Sequence, residues 1–189
     1  MTKDEDRHGV IWQGKAWNLY VTDRRLPDGS IHESAYIDHP GSVVIVPWQD
    51  SAQGGKILML RQYRHSLRKS ILELPAGTRE WGEDIFASAQ RELREETGFS
   101  SDHFDHLGQF WPAPGVTNEA MSLFLARDLH HNPLSKDIDE EIEVIEYNFD
   151  DLFSLAISGQ LQDAKTIVGI LRTAFFLHKA PFDTLDGNT

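Results

Sequence analysis

Residues 77–99, GTREWGEDIFASAQRELREETGF, constrain this 189-residue chain more than any other stretch. Ile85, Ala89 and Leu93 recur every four residues, which predicts a helix over residues 84–97 with one apolar stripe. Gly98 is its expected stop, because the residue after a helix often needs a left-handed backbone. Glu92, Glu95 and Glu96 are spaced by three and one, with Glu92 and Glu96 four apart. On a helix they share one face, with neighbouring Cβ atoms about 5–6 Å apart. Crowded carboxylates repel one another unless a positive group sits among them. Carboxylate oxygens suit hard divalent cations, so Mg²⁺ is the expected partner and Mn²⁺ its substitute. The hexapeptide RELREE taken alone reads equally as a solvated helix face laced by Glu–Arg pairs through Arg91 and Arg94. Gly77 and Gly98 supply backbone freedom where the chain enters and leaves the helix. Arg91 then orients the carboxylates by charge-assisted bonding.

Around this helix the chain reads as strands. Residues 42–48 (SVVIVPW) and 56–62 (KILMLRQ) are short apolar runs of the kind buried in a sheet. Residues 71–74 begin a third, stopped by Pro75-Ala76-Gly77. Later strands are expected at 109–110, 121–126 and 142–149, and further helices at 150–158 and 163–179. Residues 16–22 and 31–37 form an N-terminal hairpin around the turn signal Leu26-Pro27-Asp28-Gly29. Strict βαβ alternation is missing, so the expected class is α/β with a mixed sheet flanked by helices. No cysteine is present, which excludes disulfides, thiolate metal sites and a Cys nucleophile. The acidic N-terminus has no signal-peptide character and no apolar run is long enough to span a bilayer, so a cytoplasmic address is expected. A net charge of −12 argues against nucleic-acid binding, which needs basic surface.

Gly77, Glu83, Arg91-Glu92-Leu93, Glu95-Glu96, Gly98 and Phe99 match the Nudix box, G-x5-E-x7-R-E-U-x-E-E-x-G-U, at every fixed position. A chance match in a chain this long is on the order of 10⁻⁷ with ordinary residue usage. The chain therefore resembles the Nudix hydrolases over roughly residues 10–178. The resemblance implies the Nudix fold, a mixed β-sheet sandwiched between helices, here with an N-terminal β-strand extension. It also implies metal ligands at Glu92, Glu95, Glu96 and the main-chain carbonyl of Ala76, with Glu83 and Arg91 in supporting roles.

The box does not choose a substrate, and four features outside it resemble the ADP-ribose and ADP-sugar pyrophosphatase branch. They are the Glu73-Leu74-Pro75-Ala76-Gly77 approach to the box; Pro114, fifteen residues past Phe99; Gln62-Tyr63-Arg64; and the acidic run 139–144. By that resemblance Arg64 contacts the substrate phosphates, and Glu141 or Glu140 is the general base beside the catalytic Glu96. Each has a plainer reading too: Pro114 as a turn former, Arg64 as one of several solvated cations, the acidic run as a solubilising loop. Trp17 matches a position where related enzymes stack an aromatic ring on adenine, or it is a core or interface residue. Glu33 follows His32 on the next strand, where relatives place an aromatic followed by Glu.

The expected function is Mg²⁺-dependent cleavage of ADP-ribose, or a related nucleoside diphosphate sugar, at the pyrophosphate. Alternatives are a GDP-mannose or UDP-glucose pyrophosphatase and a non-catalytic Nudix ligand sensor. Partners are a small nucleotide-sugar substrate and a second copy of the chain, with no nucleic acid and no membrane. Residues 1–40 are expected to be a dimerisation arm, 41–180 the Nudix domain and 181–189 a loose tail. The acidity is localised. Residues 73–96 carry seven acids and three bases, and residues 137–151 eight acids and no base. These two segments account for the whole net charge and are the ones proposed to hold the metal and the base.

Overall fold

The structure, a computed structural model, describes residues 8–52, 54–134 and 142–177. It begins with a three-stranded antiparallel sheet of β1 (His8–Gln13), β2 (Asn18–Arg25) and β3 (Ile31–Asp38), in that order. β2 and β3 pair from Asn18↔Asp38 to Arg25↔Ile31, and Gly29 closes their turn at φ +85°, a conformation that favours glycine. β1 was not anticipated. Its Val10, Ile11 and Trp12 are all exposed, so it lacks the alternation that marks a half-buried strand.

The second sheet is built on β4 (Ser42–Ser51), whose residues from Ser42 to Trp48 are buried. Its side chains alternate between two cores, because successive residues of a strand point to opposite faces. Val44, Val46 and Trp48 pack with helices α2 (Phe149–Ile157) and α3 (Ala164–Phe176). Val43 and Ile45 pack with Ala89 and Leu93 of α1 (Ile85–Thr97). Each fully buried Val, Leu or Ile of this kind contributes about 1.5–3 kcal/mol relative to exposure. The sheet is therefore sandwiched between helices. The remaining strands are β5 (Gly54–Arg64), β6 (Lys69–Glu73), β7 (Ala76–Thr78), β9 (His103–Phe110), β10 (Met121–Arg127) and β12 (Ile142–Asn148). Their order is β12-β5-β4-β10-β9, with β6 on β5 and β7 on β4. A short pair, β8 (Phe99–Ser100) with β11 (His130–His131), stands apart. The β4–β10 pairing is parallel and the others are antiparallel, which makes the sheet mixed.

Pro47 marks a change of partner along β4. Up to Pro47 the strand pairs with β10, and from Trp48 to Ser51 it pairs with β5. Beyond Ile57, β5 leaves β4 and pairs with β6, while β7 takes the vacated edge of β4 at Ser42–Val44. The two strands thus open like a V. Residues 73–78 run through that opening, tied by the Ile45 amide donating to the Pro75 carbonyl at 2.8 Å. The sequence placed a loop at Ala76–Thr78 because of Pro75 and Gly77; the open edge of β4 makes it a strand. Among the described residues no helix is long and apolar enough to cross a membrane.

Candidate active site

Helix α1 starts where the sequence predicts. Asp84 caps it by accepting from the amides of Phe86 (2.9 Å) and Ala87 (3.0 Å). Gly98 ends it at φ +79°, donating to the Arg94 carbonyl. Ala89 and Leu93 face the core, which turns the carboxylate face toward β7. Glu92 and Glu96 are buried, while the Glu95 side chain is 31% exposed. Glu96 Oε2 accepts from the Ala76 amide at 2.8 Å, pinning the carboxylate to the strand it faces. A Cβ on Gly77 would lie 1.9 Å from Glu92 Cδ, so a larger residue there would displace the Glu92 carboxylate.

Arg91 organises the carboxylates. Its Nη1 donates to Glu92 (2.7 Å) and Glu95 (2.9 Å), and its Nε and Nη2 each donate to Glu83 at 3.2 Å. Burial alone would favour the neutral guanidine, but these three acids raise its pKa further above the ordinary arginine range. Glu83 also accepts from the Glu80 amide and the Ser88 hydroxyl, both at 2.9 Å. Burial opposes its ionisation, yet Arg91 and these donors bring its pKa down to about 2. Glu83 therefore stays ionised at neutral pH and holds Arg91 in place.

Arg91 and the α1 carboxylates it holds line a cavity of about 500 Å³. Glu92, Glu95 and Glu96 enter it from α1, Ala76–Thr78 from the strand, Arg79 and Glu80 from the loop that follows. Lys15 and Ala16 reach it from the β1–β2 turn, and Ile142 from the start of β12. Among the described residues the carboxylates do not converge on one point as a finished ion cage. Glu96 is turned to Ala76, and Glu92 and Glu95 to Arg91. The donor set nevertheless fits a hard divalent cation. It consists only of carboxylate and carbonyl oxygen, it opens on a cavity, and Gly77 supplies the space a Cβ would fill.

Other predicted residues lie further off. Arg64 ends β5 and is bound to Glu73 by two parallel bonds, Nε and Nη2 each at 2.7 Å. That hydrogen bonding raises its pKa, with the charges of Glu73, Glu96 and Asp163 adding to it against burial. Trp17 packs on Trp12, ring centroids 4.5 Å apart, beside the cavity rather than in its lining. Glu33 is exposed and pairs across β2–β3 with Asp23. Pro114 lines a separate groove with Tyr36 and Trp111. Glu140 and Glu141 lie outside the described residues, and Ile142, which follows them, lines the cavity. Sequence reasoning missed Lys15, Arg79 and Glu80 as cavity residues, since no spacing rule connects them to the helix. It also missed Lys165, which reaches Glu73 across 92 positions in the chain.

A family model of the NUDIX domain matches residues 38–168. The chain belongs to the Nudix family. Its Nudix relatives include the ADP-ribose pyrophosphatase of Bacillus subtilis (strain 168), 36% identical over 162 residues, which cover 85% of this chain and 86% of that one. The ADP-ribose pyrophosphatase of Mycobacterium tuberculosis (strain ATCC 25618 / H37Rv) is 30% identical over 182 residues, 93% of this chain and 86% of its own. A crystal structure of an ADP compounds hydrolase superposes with a TM-score of 0.76 over 94% of this chain and 97% of that one, at 18% identity. That likeness establishes the Nudix fold expected from the box.

Proposed function

We propose that this Nudix protein hydrolyses ADP-ribose at its pyrophosphate, releasing AMP and ribose 5-phosphate with Mg²⁺ as cofactor. The observation that carries the reading is the meeting of Glu92, Glu95, Glu96 and the Ala76–Thr78 strand on one cavity, in a chain whose extensive relatives include two ADP-ribose pyrophosphatases. Glu92, Glu95, Glu96 and the Ala76 carbonyl would hold the ion. When bound, Mg²⁺ neutralises charge on the phosphates and lowers the pKa of a coordinated water. The chain's own groups do the rest. Arg91 and Glu83 keep the helix carboxylates oriented before substrate arrives. Glu141 or Glu140 takes the proton of the attacking water as the P–O–P bond opens; in support of this reading, Ile142, the next residue in the chain, lines the cavity. Arg64 has two N–H groups committed to Glu73, and its Nη1 is assigned to a phosphate oxygen. Trp17 and Glu33 are assigned to the adenosine side.

Purified protein with Mg²⁺ should release AMP from ADP-ribose, with higher kcat/KM than on GDP-mannose or UDP-glucose. EDTA should stop turnover and added Mg²⁺ or Mn²⁺ restore it. Absence of metal-dependent AMP release would refute the assignment.

The protein is also proposed to act as a homodimer through its N-terminal sheet. Val10, Ile11 and Trp12 of β1 and Ile31 of β3 leave apolar surface uncovered there, of the kind association buries. Light scattering should give twice the mass of one chain; a monomer at assay concentration removes this part of the proposal.

A further inference from the structure

The β1–β2 turn brings a cation to an acidic cavity. Its geometry is specified by packing. The Gly14 amide donates to the Trp17 carbonyl at 3.0 Å, and the Trp12 and Trp17 rings pack beside it at a 43° tilt. A Cβ on Gly14 would lie 2.1 Å from the Trp12 ring and 2.9 Å from the Trp17 carbonyl, so only glycine allows this closure. The turn therefore presents Lys15 and Ala16 to the cavity that holds Glu92, Glu95 and Glu96.

The other cations around that cavity are committed to protein groups. Arg91 is shared among Glu83, Glu92 and Glu95. Arg79 donates to the carbonyls of Pro40 and Glu83. Lys15 is exposed, and its ammonium forms no ion pair with another described residue. A lysine is a compact charge on a flexible stem, so it can swing from solvent to an anion once one enters. It is also supplied from outside residues 38–168, the span matched by the family.

We infer that Lys15 is a substrate-binding residue whose ammonium donates to a non-bridging oxygen of the substrate's pyrophosphate. The inference rests on the hydrolytic reading above, because that reading puts a diphosphate in this cavity. Each phosphate carries a charge that four nearby carboxylates, Glu80 included, would repel. A positive group at the cavity mouth offsets this during binding. It is not aimed at the bond that breaks, so it serves ground state and transition state alike.

The test compares wild type with Lys15→Met and Lys15→Arg. For Lys15→Met, KM for ADP-ribose should rise about tenfold with kcat within about twofold, the pattern of lost uniform binding. Lys15→Arg should keep KM within about threefold of wild type, since charge is retained. Raising salt should increase the wild-type KM more steeply than that of Lys15→Met, because screening acts on the lost contact. Titration calorimetry with magnesium pyrophosphate gives a second readout free of turnover, and its Kd should weaken about tenfold in Lys15→Met. A KM and a pyrophosphate Kd unchanged in Lys15→Met overturn the inference. So does equal loss in Lys15→Met and Lys15→Arg with a lowered Tm, which would mark a structural role. If wild type leaves ADP-ribose intact while the pyrophosphate Kd shifts as stated, the substrate assignment fails and the role of Lys15 stands.

Discussion

Glu96→Gln is expected to lower kcat for ADP-ribose by about a thousandfold, the scale of losing a preorganised charged group at a reacting centre. The substitution isolates chemistry from folding. Glu96 Oε2 accepts a 2.8 Å bond from the Ala76 amide, and a glutamine carbonyl oxygen can accept the same bond. Size is preserved at a position that is 5% exposed, so packing of α1 against β7 should persist. What changes is one negative charge in the oxygen set assigned to Mg²⁺. Tm should stay within a few degrees of wild type, while Mg²⁺ dependence shifts to higher concentration. Wild-type turnover in this variant would remove Glu96 from the catalytic machinery.

That residue was readable in the chain because helical spacing is a local property. The interval of four between Glu92 and Glu96, and between Ala89 and Leu93, sets a carboxylate stripe and an apolar stripe side by side on the helix before any tertiary contact is known. The buried character of residues 42–48 was equally visible. Its consequence was not: Val44 and Val46 meet α2 and α3, whereas Val43 and Ile45 meet α1. Alternation predicts two faces but does not say which helix covers each. The change of partner at Pro47, and the V that admits Ala76–Thr78, depend on pairings between strands distant in sequence. Likewise, Lys15 reaches the cavity through the placement of a whole N-terminal sheet on the Nudix body. The Ile37 amide donates to the Val116 carbonyl at 2.9 Å, and the Asn118 amide to the Ile37 carbonyl at 3.2 Å, to fix that placement. Nothing periodic in residues 8–38 announces those bonds.

Glu73→Gln is expected to be the most destabilising change near the site, by about 3–5 kcal/mol, because it breaks a buried ion network from its centre. Glu73 is 1% exposed and lies between two cations. Arg64 grips it in two 2.7 Å bonds, and the ammonium of Lys165, itself 7% exposed, donates to the Oε2 that also accepts from Arg64 Nη2. Lys165 also contacts Asp163 at 3.0 Å, and Thr166 on the same turn of α3 receives the Leu74 amide at 2.8 Å. Removing the central charge leaves two cations facing a neutral amide, with Asp163 alone beside Lys165. Lys165→Met is less severe by the same logic, because Glu73 retains Arg64. A loss of about 3–5 kcal/mol should lower Tm by roughly 6–20 °C for a chain of this size. The pH dependence has a defined sign. Burial pushes the Glu73 carboxyl up, but Arg64 and Lys165 outweigh it and hold the pKa below its ordinary 4.5. A carboxyl depressed in the folded state stabilises fully above its unfolded pKa, and that contribution is lost as pH falls through the lower folded value. Wild type should therefore exceed Glu73→Gln most at neutral pH, and the gap should narrow below about pH 4. Calorimetric scans of the three proteins across that range check it. Equal Tm values for wild type and Glu73→Gln at pH 7 would show that the network does not hold residues 73–76 against α3.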